Sequence, residues 1–232
     1  MSASSVGSFD SFAEAYDRLA SLSKGYAHSF TESVLPEEGR RAVDLGCGTG
    51  HHSSILATRF EDVLAVDISP PMLDIARVRR ARPNISYQLR DLHDVTPEKD
   101  GRFDLVFSAS TLHHVPALDE ALHRIRRLLT PGGRVVLLDN VFQKPAVPRW
   151  WFQREALRRL AGDLLRRRRP VSEAIELCRL QLHPAWLDHV TSDRFLSPSE
   201  FRQRYGAVFA GGHFTDLYHT CVLTWRDETG PA

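Results

Sequence analysis

The sequence is poor in cysteine and has no long apolar segment. Its three cysteines, Cys47, Cys178 and Cys221, show neither metal-ligand nor redox spacing. No apolar run approaches the roughly 18 residues of a membrane-spanning helix. The N-terminus also lacks the basic start and apolar core of a signal peptide. These absences favour a reduced, cytoplasmic protein without a membrane span.

Net charge is also nearly absent, because 30 basic side chains against 29 acidic ones leave +1 at neutral pH. This balance excludes a molecule that binds nucleic acid or a membrane through its overall charge. Hydrophobic residues make up 42% of the 232 residues, which is enough to form one domain with a substantial core.

The sequence does contain an alternation of short apolar strands and helical segments. The stretches RRAVDLG, VLAVDIS, NISYQLRD, FDLVFSAS and RVVLLDN predict five strands. Helices are predicted over 9–22, over about 26–34 and between successive strands. Since this alternation is typical of parallel sheets, we expect an α/β fold with helices on both faces. Residues 143–197 are rich in proline and arginine and predict helices only, before a last helix and a strand pair.

Three glycines, Gly46, Gly48 and Gly50, directly follow the first predicted strand. Their spacing differs from the dinucleotide-binding pattern G-x-G-x-x-G, whose third glycine would fall at His51. The phosphate-binding pattern G-x-x-x-x-G-K-[ST] does not occur either, which argues against a nucleoside triphosphatase. Asp67 ends the second strand, where a carboxylate suits the two hydroxyls of a ribose.

Two further acidic residues accompany the strands. Asp44 precedes the first glycine by two positions, and Asp91 follows the third strand. The carboxyl ends of parallel strands meet at one edge of the sheet, where such folds bind ligands. An acidic set at this edge indicates a cationic nucleoside rather than an anionic one.

Five motifs in this order together resemble the class I S-adenosylmethionine-dependent methyltransferases. They are VDLGCGTG, LAVDISPPML, LRDL, FDLVFSASTLHHV and LLTPGGRVVLLD. The resemblance covers residues 9–142 well and 197–226 weakly. It implies a Rossmann-like, doubly wound sheet of seven mostly parallel strands in the order 3-2-1-4-5-7-6. We expect N-terminal helices and a cofactor-binding core over 1–142, a helical cap for substrate over 143–197, and the last helix and closing strands over 198–232.

The resemblance implies S-adenosylmethionine as the cofactor, and we expect no metal. The residues predicted to bind the cofactor are Tyr16, Asp44, Gly46, Cys47, Gly48, Gly50, Asp67, Ile68, Met72, Asp91, Leu92, Ser108 and Ala109. Among them, Asp67 would hold the ribose hydroxyls, and Asp91 and Leu92 would contact the adenine. Tyr16 would close over the cofactor, although a core aromatic position fits it equally well.

Methyl transfer to a hydroxyl or to a protonated amine also needs a base. His113 and His114 follow the fourth strand, and Asp139 ends the neighbouring fifth strand, from which it can orient His113. We predict these three residues as catalytic, with His113 as the base; alternatively, the histidines only pack against the cofactor. The predicted substrate contacts are Tyr16, His113, Trp150 and Trp186.

Residues 149–169 form a basic segment, in which eight arginines against two acidic residues give a net charge of +6. Its helical periodicity places the following apolar residues on one face: Trp150, Leu157, Leu160, Ala161 and Leu164. One interpretation packs this face on the domain and leaves the arginines in solvent. The other assigns an anionic partner, namely a charged substrate, an acyl carrier protein or an acidic membrane surface.

We predict an S-adenosylmethionine-dependent methyltransferase of the natural-product type, which methylates a small molecule at oxygen by in-line displacement. Nitrogen or carbon acceptors, and RNA or protein substrates, are the alternatives within this chemistry. A non-catalytic, cofactor-binding interaction subunit is the alternative outside it. We expect a monomer or a homodimer, and a nucleic-acid partner is disfavoured.

Overall fold

The computed structural model describes residues 12–23 and 26–228. The beginning of the helix predicted over 9–22 therefore lies outside the described residues, as do the outer ends of the ranges 1–142 and 198–232. Within the described part of the chain, no helix combines the length and the apolar character needed to cross a bilayer.

One sheet forms the centre of the molecule. Its strands are β1 (Gly39–Leu45), β2 (Phe60–Asp67), β3 (Ile85–Leu89), β4 (Phe103–Ala109), β5 (Leu129–Asn140), β6 (His213–Leu217) and β7 (Thr220–Arg226). They are ordered β3-β2-β1-β4-β5-β7-β6. The first five strands pair in parallel, whereas β7 is antiparallel to both of its neighbours. The α/β fold class and the strand order implied by the resemblance are confirmed.

Helices connect and cover the strands. They are α1 (Ala13–Leu22), α2 (Tyr26–Val34), α3 (His51–Leu56), α4 (Pro70–Arg79), α5 (Pro97–Asp100), α6 (Leu118–Arg127), α7 (Arg149–Leu165), α8 (Val171–Gln181), α9 (Pro184–Ser192) and α10 (Pro198–Val208). Single 3₁₀ turns occupy Leu92–Asp94 and Leu112–His114. As a result, α7, α8 and α9 fill most of the range 143–197, which the sequence predicts to be helical.

Local sequence accounts for several element boundaries. The Ser69 hydroxyl accepts a hydrogen bond from the Met72 N–H, and Pro70 occupies the first turn of α4, where its missing N–H costs nothing. Ser197 and Glu200 form a reciprocal capping box at the start of α10. One boundary differs from the prediction, because β5 already begins at Leu129. Phe103 of β4 pairs with Leu129 and Leu105 pairs with Arg134, so the extra residues of this register shift lie in β5.

The core lies on both faces of the sheet. On one face, Leu122 and Ile125 of α6 and Phe201 of α10 pack against the buried strands. On the other, Leu56 of α3 packs against Phe107. Burying each such side chain contributes roughly 1.5–3 kcal/mol, so this core fixes where the carboxyl ends of the strands lie.

A separate helical layer consists of α1 and α7–α9. Phe12, Leu19 and Leu22, beside or within α1, pack against Leu177 of α8 in a small apolar cluster. One ion pair and one hydrogen bond add to this contact. Arg18 pairs with Glu176 at 2.7 Å, and Arg169 donates to the Leu22 carbonyl at 2.6 Å. Segments about 150 residues apart in sequence therefore form this layer together.

The rotation of α7 within this layer corrects the first interpretation of the basic segment. Trp150, Leu157 and Leu164 are 59%, 55% and 41% exposed, whereas Ala156 and Asp163 are buried. The predicted apolar face therefore points to solvent. Other side chains of α7 face inward instead: Trp151 and Phe152 pack against the Phe142 ring, and Asp163 forms a 2.9 Å ion pair with Arg169.

Candidate active site

A cavity lies at the carboxyl edge of the sheet, and its empty space, including the part that is open to solvent, is about 740 Å³. Its wall is formed by Tyr16, Gly46, Gly48, Val66, Asp67, Ile68, Ser69, Met72, Arg90, Asp91, Leu92, His93, Ala109, Ser110, Thr111, His114 and Val115. We call the glycine loop 46–50 together with the carboxyl ends of β1, β2 and β4 the sheet edge.

The glycine loop is held by backbone hydrogen bonds. The N–H groups of Gly46 and Cys47 both donate to the Val66 carbonyl, at 2.9 and 3.0 Å. Gly46 has φ +77°, and a Cβ there would lie 2.2 Å from the Thr111 methyl group. Gly48 has φ +52°, and a Cβ there would meet no atom within 4 Å. The loop thus needs glycine for its conformation, and Gly48 presents bare backbone to the cavity.

Asp67 connects this loop to the next helix. Its Oδ2 accepts a hydrogen bond from the Gly48 N–H at 2.8 Å, and its Oδ1 accepts one from the Ser69 N–H at 2.9 Å. A carboxylate oxygen can accept more than one hydrogen bond. Both oxygens therefore have capacity for a pair of neighbouring hydroxyl groups at the cavity wall.

A cluster of histidines and carboxylates lies beside the cavity. His113 Nδ1 is hydrogen-bonded to Asp139 Oδ1, and His113 Nε2 lies 3.6 Å from Asp193 Oδ2. His114 Nδ1 lies 3.3 Å from Asp193 Oδ1, and His189 Nε2 lies 3.5 Å from Asp193 Oδ2. The ring of His114 forms part of the cavity wall, whereas that of His113 lies behind it.

Comparison with known proteins gives the family of this site. A model described as a methyltransferase domain matches residues 43–137, a range that includes the glycine loop, Asp67 and the two histidines. The matched residues form a methyltransferase domain of the class I S-adenosylmethionine-dependent type. Its cofactor is S-adenosylmethionine.

Individual relatives agree with this assignment. The chain is 36% identical to a demethylmenaquinone methyltransferase of Clavibacter sepedonicus, over 60% of this chain and 58% of the relative. It is 33% identical to a malonyl-[acyl-carrier protein] O-methyltransferase of Serratia marcescens, over 59% of this chain and 52% of that one. The chain thus spans little more than half the length of these curated relatives.

A solved S-adenosylmethionine-dependent methyltransferase from Mesorhizobium loti shares the fold. It superimposes with a TM-score of 0.60 and 19% identity, covering 88% of this chain and 99% of the other. At this identity the likeness concerns the fold alone, which agrees with the strand order described above.

The cavity of this methyltransferase fits the chemistry of its cofactor. Asp67 offers two carboxylate oxygens for the ribose hydroxyls, and bare backbone at Gly48 allows close approach. Tyr16, at the cavity wall, has its pKa raised to about 12 by burial and by the nearby Asp67 and Asp17. It therefore stays neutral, and the net charge of the wall suits a positively charged sulfonium.

The predicted cofactor contacts divide into two groups. Those on the cavity wall are Tyr16, Gly46, Gly48, Asp67, Ile68, Met72, Asp91, Leu92 and Ala109. The others, Asp44, Cys47, Gly50 and Ser108, lie outside the wall. Burial raises the pKa of Asp44 to about 7, and its Oδ2 accepts the Ser53 hydroxyl at 2.6 Å. The Ser108 hydroxyl donates to the Leu45 carbonyl at 2.8 Å, so these residues support the loop from below.

Other wall residues were not predicted. Ser110 and Thr111 lie within the FDLVFSASTLHHV motif, so their place in this motif could have indicated that they line the cavity. Ser110 has φ +53°, an unusual conformation for a residue other than glycine, and the Thr111 hydroxyl donates to the Gly46 carbonyl at 3.2 Å. Arg90 pairs with Asp100 at 2.7 Å; it lies within the LRDL motif, so its place beside Asp91 was the available signal.

The two histidines differ in charge. Burial alone would lower the pKa of His113, but the carboxylates of Asp139 and Asp193 raise it to about 10. Burial, followed by the positive charge of His113, lowers the pKa of His114 to about 3. His113 is therefore an imidazolium between two carboxylates at neutral pH, while His114 is a neutral ring at the cavity wall.

Asp193 was missed by sequence reasoning, although it contacts three histidines. It directly follows α9, 79 positions after His114, and only the fold brings the two together. The ligand-type atoms of His113, His114 and Asp193 lie within 4.8 Å of one another. The expected absence of a metal stays a prediction.

The two predicted substrate-binding tryptophans lie elsewhere. Trp186 packs behind the cavity wall, with its ring 6.2 Å from Tyr16 and 6.3 Å from Phe12. Trp150 is on the exposed face of α7. Neither ring forms part of the cavity wall in the described structure, so Trp186 can influence substrate only indirectly, through Tyr16 or through His189, whose ring lies 5.7 Å away.

Proposed function

We propose that this protein transfers a methyl group from S-adenosylmethionine to an oxygen atom of a small organic molecule. The observation that carries the proposal is the neutral His114 ring on the wall of the same cavity that holds Asp67 and the glycine loop. The relatives named as demethylmenaquinone and O-methyltransferases support a small-molecule or oxygen acceptor. The chain spans only part of those relatives, so its acceptor is inferred from the cavity.

When bound, the cofactor supplies a methyl group that the positive sulfur already activates. The chain's own contribution is to bind, orient and exclude water, and such positioning lowers a barrier by up to about 7–11 kcal/mol. Asp67 would hold the ribose hydroxyls, Asp91 and Leu92 would contact the adenine, and Tyr16 would cover the cofactor. Apolar wall residues such as Val66, Met72 and Val115 would keep water away from the acceptor.

A hydroxyl acceptor also has to lose its proton. We assign the contact with the acceptor to His114, because its ring lies at the cavity wall and burial keeps it neutral. Asp193 lies 3.3 Å from His114 Nδ1 and orients the ring, so that Nε2 can accept a hydrogen bond from the acceptor hydroxyl. Because the pKa of His114 is only about 3, Nε2 takes the proton as the new carbon–oxygen bond forms, when the acceptor oxygen becomes a strong acid. The general-base role predicted for His113 stays a prediction; its two engaged nitrogens favour a positioning role instead.

The test is a tracer experiment with the wild type, two variants of the site and two control variants. The purified protein is incubated with methyl-labelled S-adenosylmethionine and an extract of its host, and the products are separated by class. We expect label in the small-molecule fraction. Asp67→Ala should abolish the thermal stabilisation by S-adenosylmethionine, whereas His114→Ala should keep it and lose about 10²–10⁴-fold in turnover.

Matched substitutions control for general damage. Asp74→Ala on α4 removes an exposed carboxylate, and His123→Ala on α6 removes an exposed imidazole. Both should behave like the wild type. Label in protein or nucleic acid would contradict the small-molecule acceptor. Stabilisation by the cofactor without any transfer would instead favour a non-catalytic binding subunit.

The sequence does not identify the anionic partner of the basic segment 149–169. Its arginines lie on α7 and at the following turn, away from the residues of the cavity wall. The methyl acceptor is therefore not the anionic partner of these arginines, which form a surface outside the cavity.

A further inference from the structure

The exposed face of α7 carries a row of large apolar side chains. Trp150, Leu157 and Leu164 are seven residues apart, so they align along about 21 Å of the helix. Their exposed fractions are 59%, 55% and 41%, and that of the adjacent Leu165 is 84%. Large exposed apolar patches on soluble proteins mark interaction sites, and this row lies on a convex helix surface rather than in a groove.

Arginines border this row. Arg154 and Arg158 lie on the same face, with side chains 62% and 61% exposed, and both pair with Glu155, at 3.6 and 2.7 Å. The Arg154 guanidinium stands 5.7 Å from the centre of the Trp150 ring. Beyond the end of α7, residues 166–168 add three consecutive exposed arginines. The exposed surface is therefore apolar along its centre and cationic at its border and end.

The charge of this surface is concentrated rather than shared by the chain. Residues 149–169 carry +6 while the whole chain carries +1, which leaves −5 for all other residues. Two copies of this surface would repel each other, so a symmetric dimer through α7 is disfavoured. The partner has to offer negative charge together with an extended apolar phase.

We propose that this face of α7, consisting of Trp150, Arg154, Leu157, Arg158, Leu164 and Leu165, binds the surface of a bilayer that contains anionic lipids. Helices that lie in a membrane interface carry tryptophan and leucine on one side and arginine around them. Anionic headgroups attract the arginines within a Debye length, and the acyl region accepts the apolar row. Binding goes beyond the proposed methyl transfer and does not depend on it.

The experiment uses the full chain and vesicle flotation. Phosphatidylcholine vesicles with and without phosphatidylglycerol are compared at low and high salt. We expect binding to the anionic vesicles at low salt, weaker binding at high salt, and a blue shift of tryptophan emission that Trp150→Phe reduces. Leu157→Ser combined with Leu164→Ser, and the triple reversal of Arg166, Arg167 and Arg168 to Glu, should each weaken partitioning at least about 10-fold.

The matched controls are exposed residues outside the helical layer, on and just after α4. Val78 on α4 is 82% exposed, and Arg82 is exposed nearby, so Val78→Ser and Arg82→Glu test the loss of an apolar side chain and of a positive charge elsewhere. Both should bind vesicles like the wild type. Failure to bind anionic vesicles, equal binding to neutral ones, or equal losses in the controls would overturn the proposal. Binding of acidic protein or RNA with no binding to vesicles would overturn it as well.

Discussion

The sheet edge and the helical layer are held together in different ways. At the sheet edge, backbone groups of adjacent strands and loops form hydrogen bonds, such as those that Gly46 and Cys47 donate to the Val66 carbonyl. In the helical layer, charged side chains join distant segments, as when Arg18 pairs with Glu176. The first arrangement follows from local sequence, whereas the second depends on which distant residues the fold brings together.

Asp17 is the residue through which the two regions are joined, and its loss should have the largest effect. Its carboxylate, 5% exposed, lies 2.6 Å from Arg79 and 2.7 Å from Arg80, and the Arg80 guanidinium also donates to the Thr49 carbonyl. Asp17→Ala leaves the largely buried Arg80 without its acidic partner. We expect a loss of about 3–5 kcal/mol in the free energy of unfolding, measured by urea denaturation.

Glu14→Ala is the matched control for this prediction. Glu14 also pairs with Arg79, at 2.6 Å, but its side chain is 72% exposed. Exposed pairs contribute about 0–1 kcal/mol, so the control should lose little. Equal losses in the two variants would mean that the buried pairs do not join the layer to the core.

Within the sheet edge, two glycines should differ from each other. Gly46→Ala places a methyl group 2.2 Å from Thr111 in a left-handed conformation, while Gly48→Ala has the same backbone problem without any clash. We expect losses of about 3 kcal/mol and about 1 kcal/mol in the free energy of unfolding. Urea denaturation of both variants measures the difference. Similar values would show that the loop shifts freely and that its shape is not fixed by the contact with Thr111.

Acid should weaken the junction between the two regions. Burial raises the pKa of Asp17, but hydrogen bonds from Arg79, Thr49 and Arg80 outweigh it and hold the pKa below its usual value. Such a carboxylate stabilises fully above the unfolded pKa of about 3.9, and its contribution is lost as the pH falls through the folded value. The stability difference between the wild type and Asp17→Asn should therefore stay constant down to about pH 5 and shrink below about pH 4. Urea denaturation over this range checks the sign, and a difference that grows in acid would contradict it.

Sequence was sufficient for most of the sheet edge. Periodicity and the glycine spacing predict the strands, the loop and the place of Asp67, because each depends on residues close to one another in the chain. Asp44 shows the limit of this reasoning. Its position at a strand end fits cofactor binding equally well, but the neighbouring α3 places Ser53 against it and the carboxylate is buried under the loop.

The helices of the helical layer could be predicted from the sequence, but not which of their side chains face solvent. The apolar positions of α7 were identified, yet they face solvent, because Trp151 and Phe152 rather than Trp150 pack inward on Phe142. Asp193 likewise acquires its role only because the end of α9 lies beside His113 and His114. Residues that pair over such distances in the chain have no characteristic sequence spacing, so sequence patterns cannot predict these contacts.

The smallest effect should come from the exposed side of the helical layer. Trp150 is 59% exposed and touches Arg154 on its own helix, so Trp150→Ala should change the free energy of unfolding by no more than about 0.5 kcal/mol. Trp186→Ala is the comparison, because it removes a ring between Phe12 and Tyr16 and should cost about 2 kcal/mol or more. Urea denaturation of both variants measures the contrast within one layer. A substantial loss for Trp150→Ala in the isolated protein would mean that the row on α7 already packs against this chain, and that no surface is left there for a membrane.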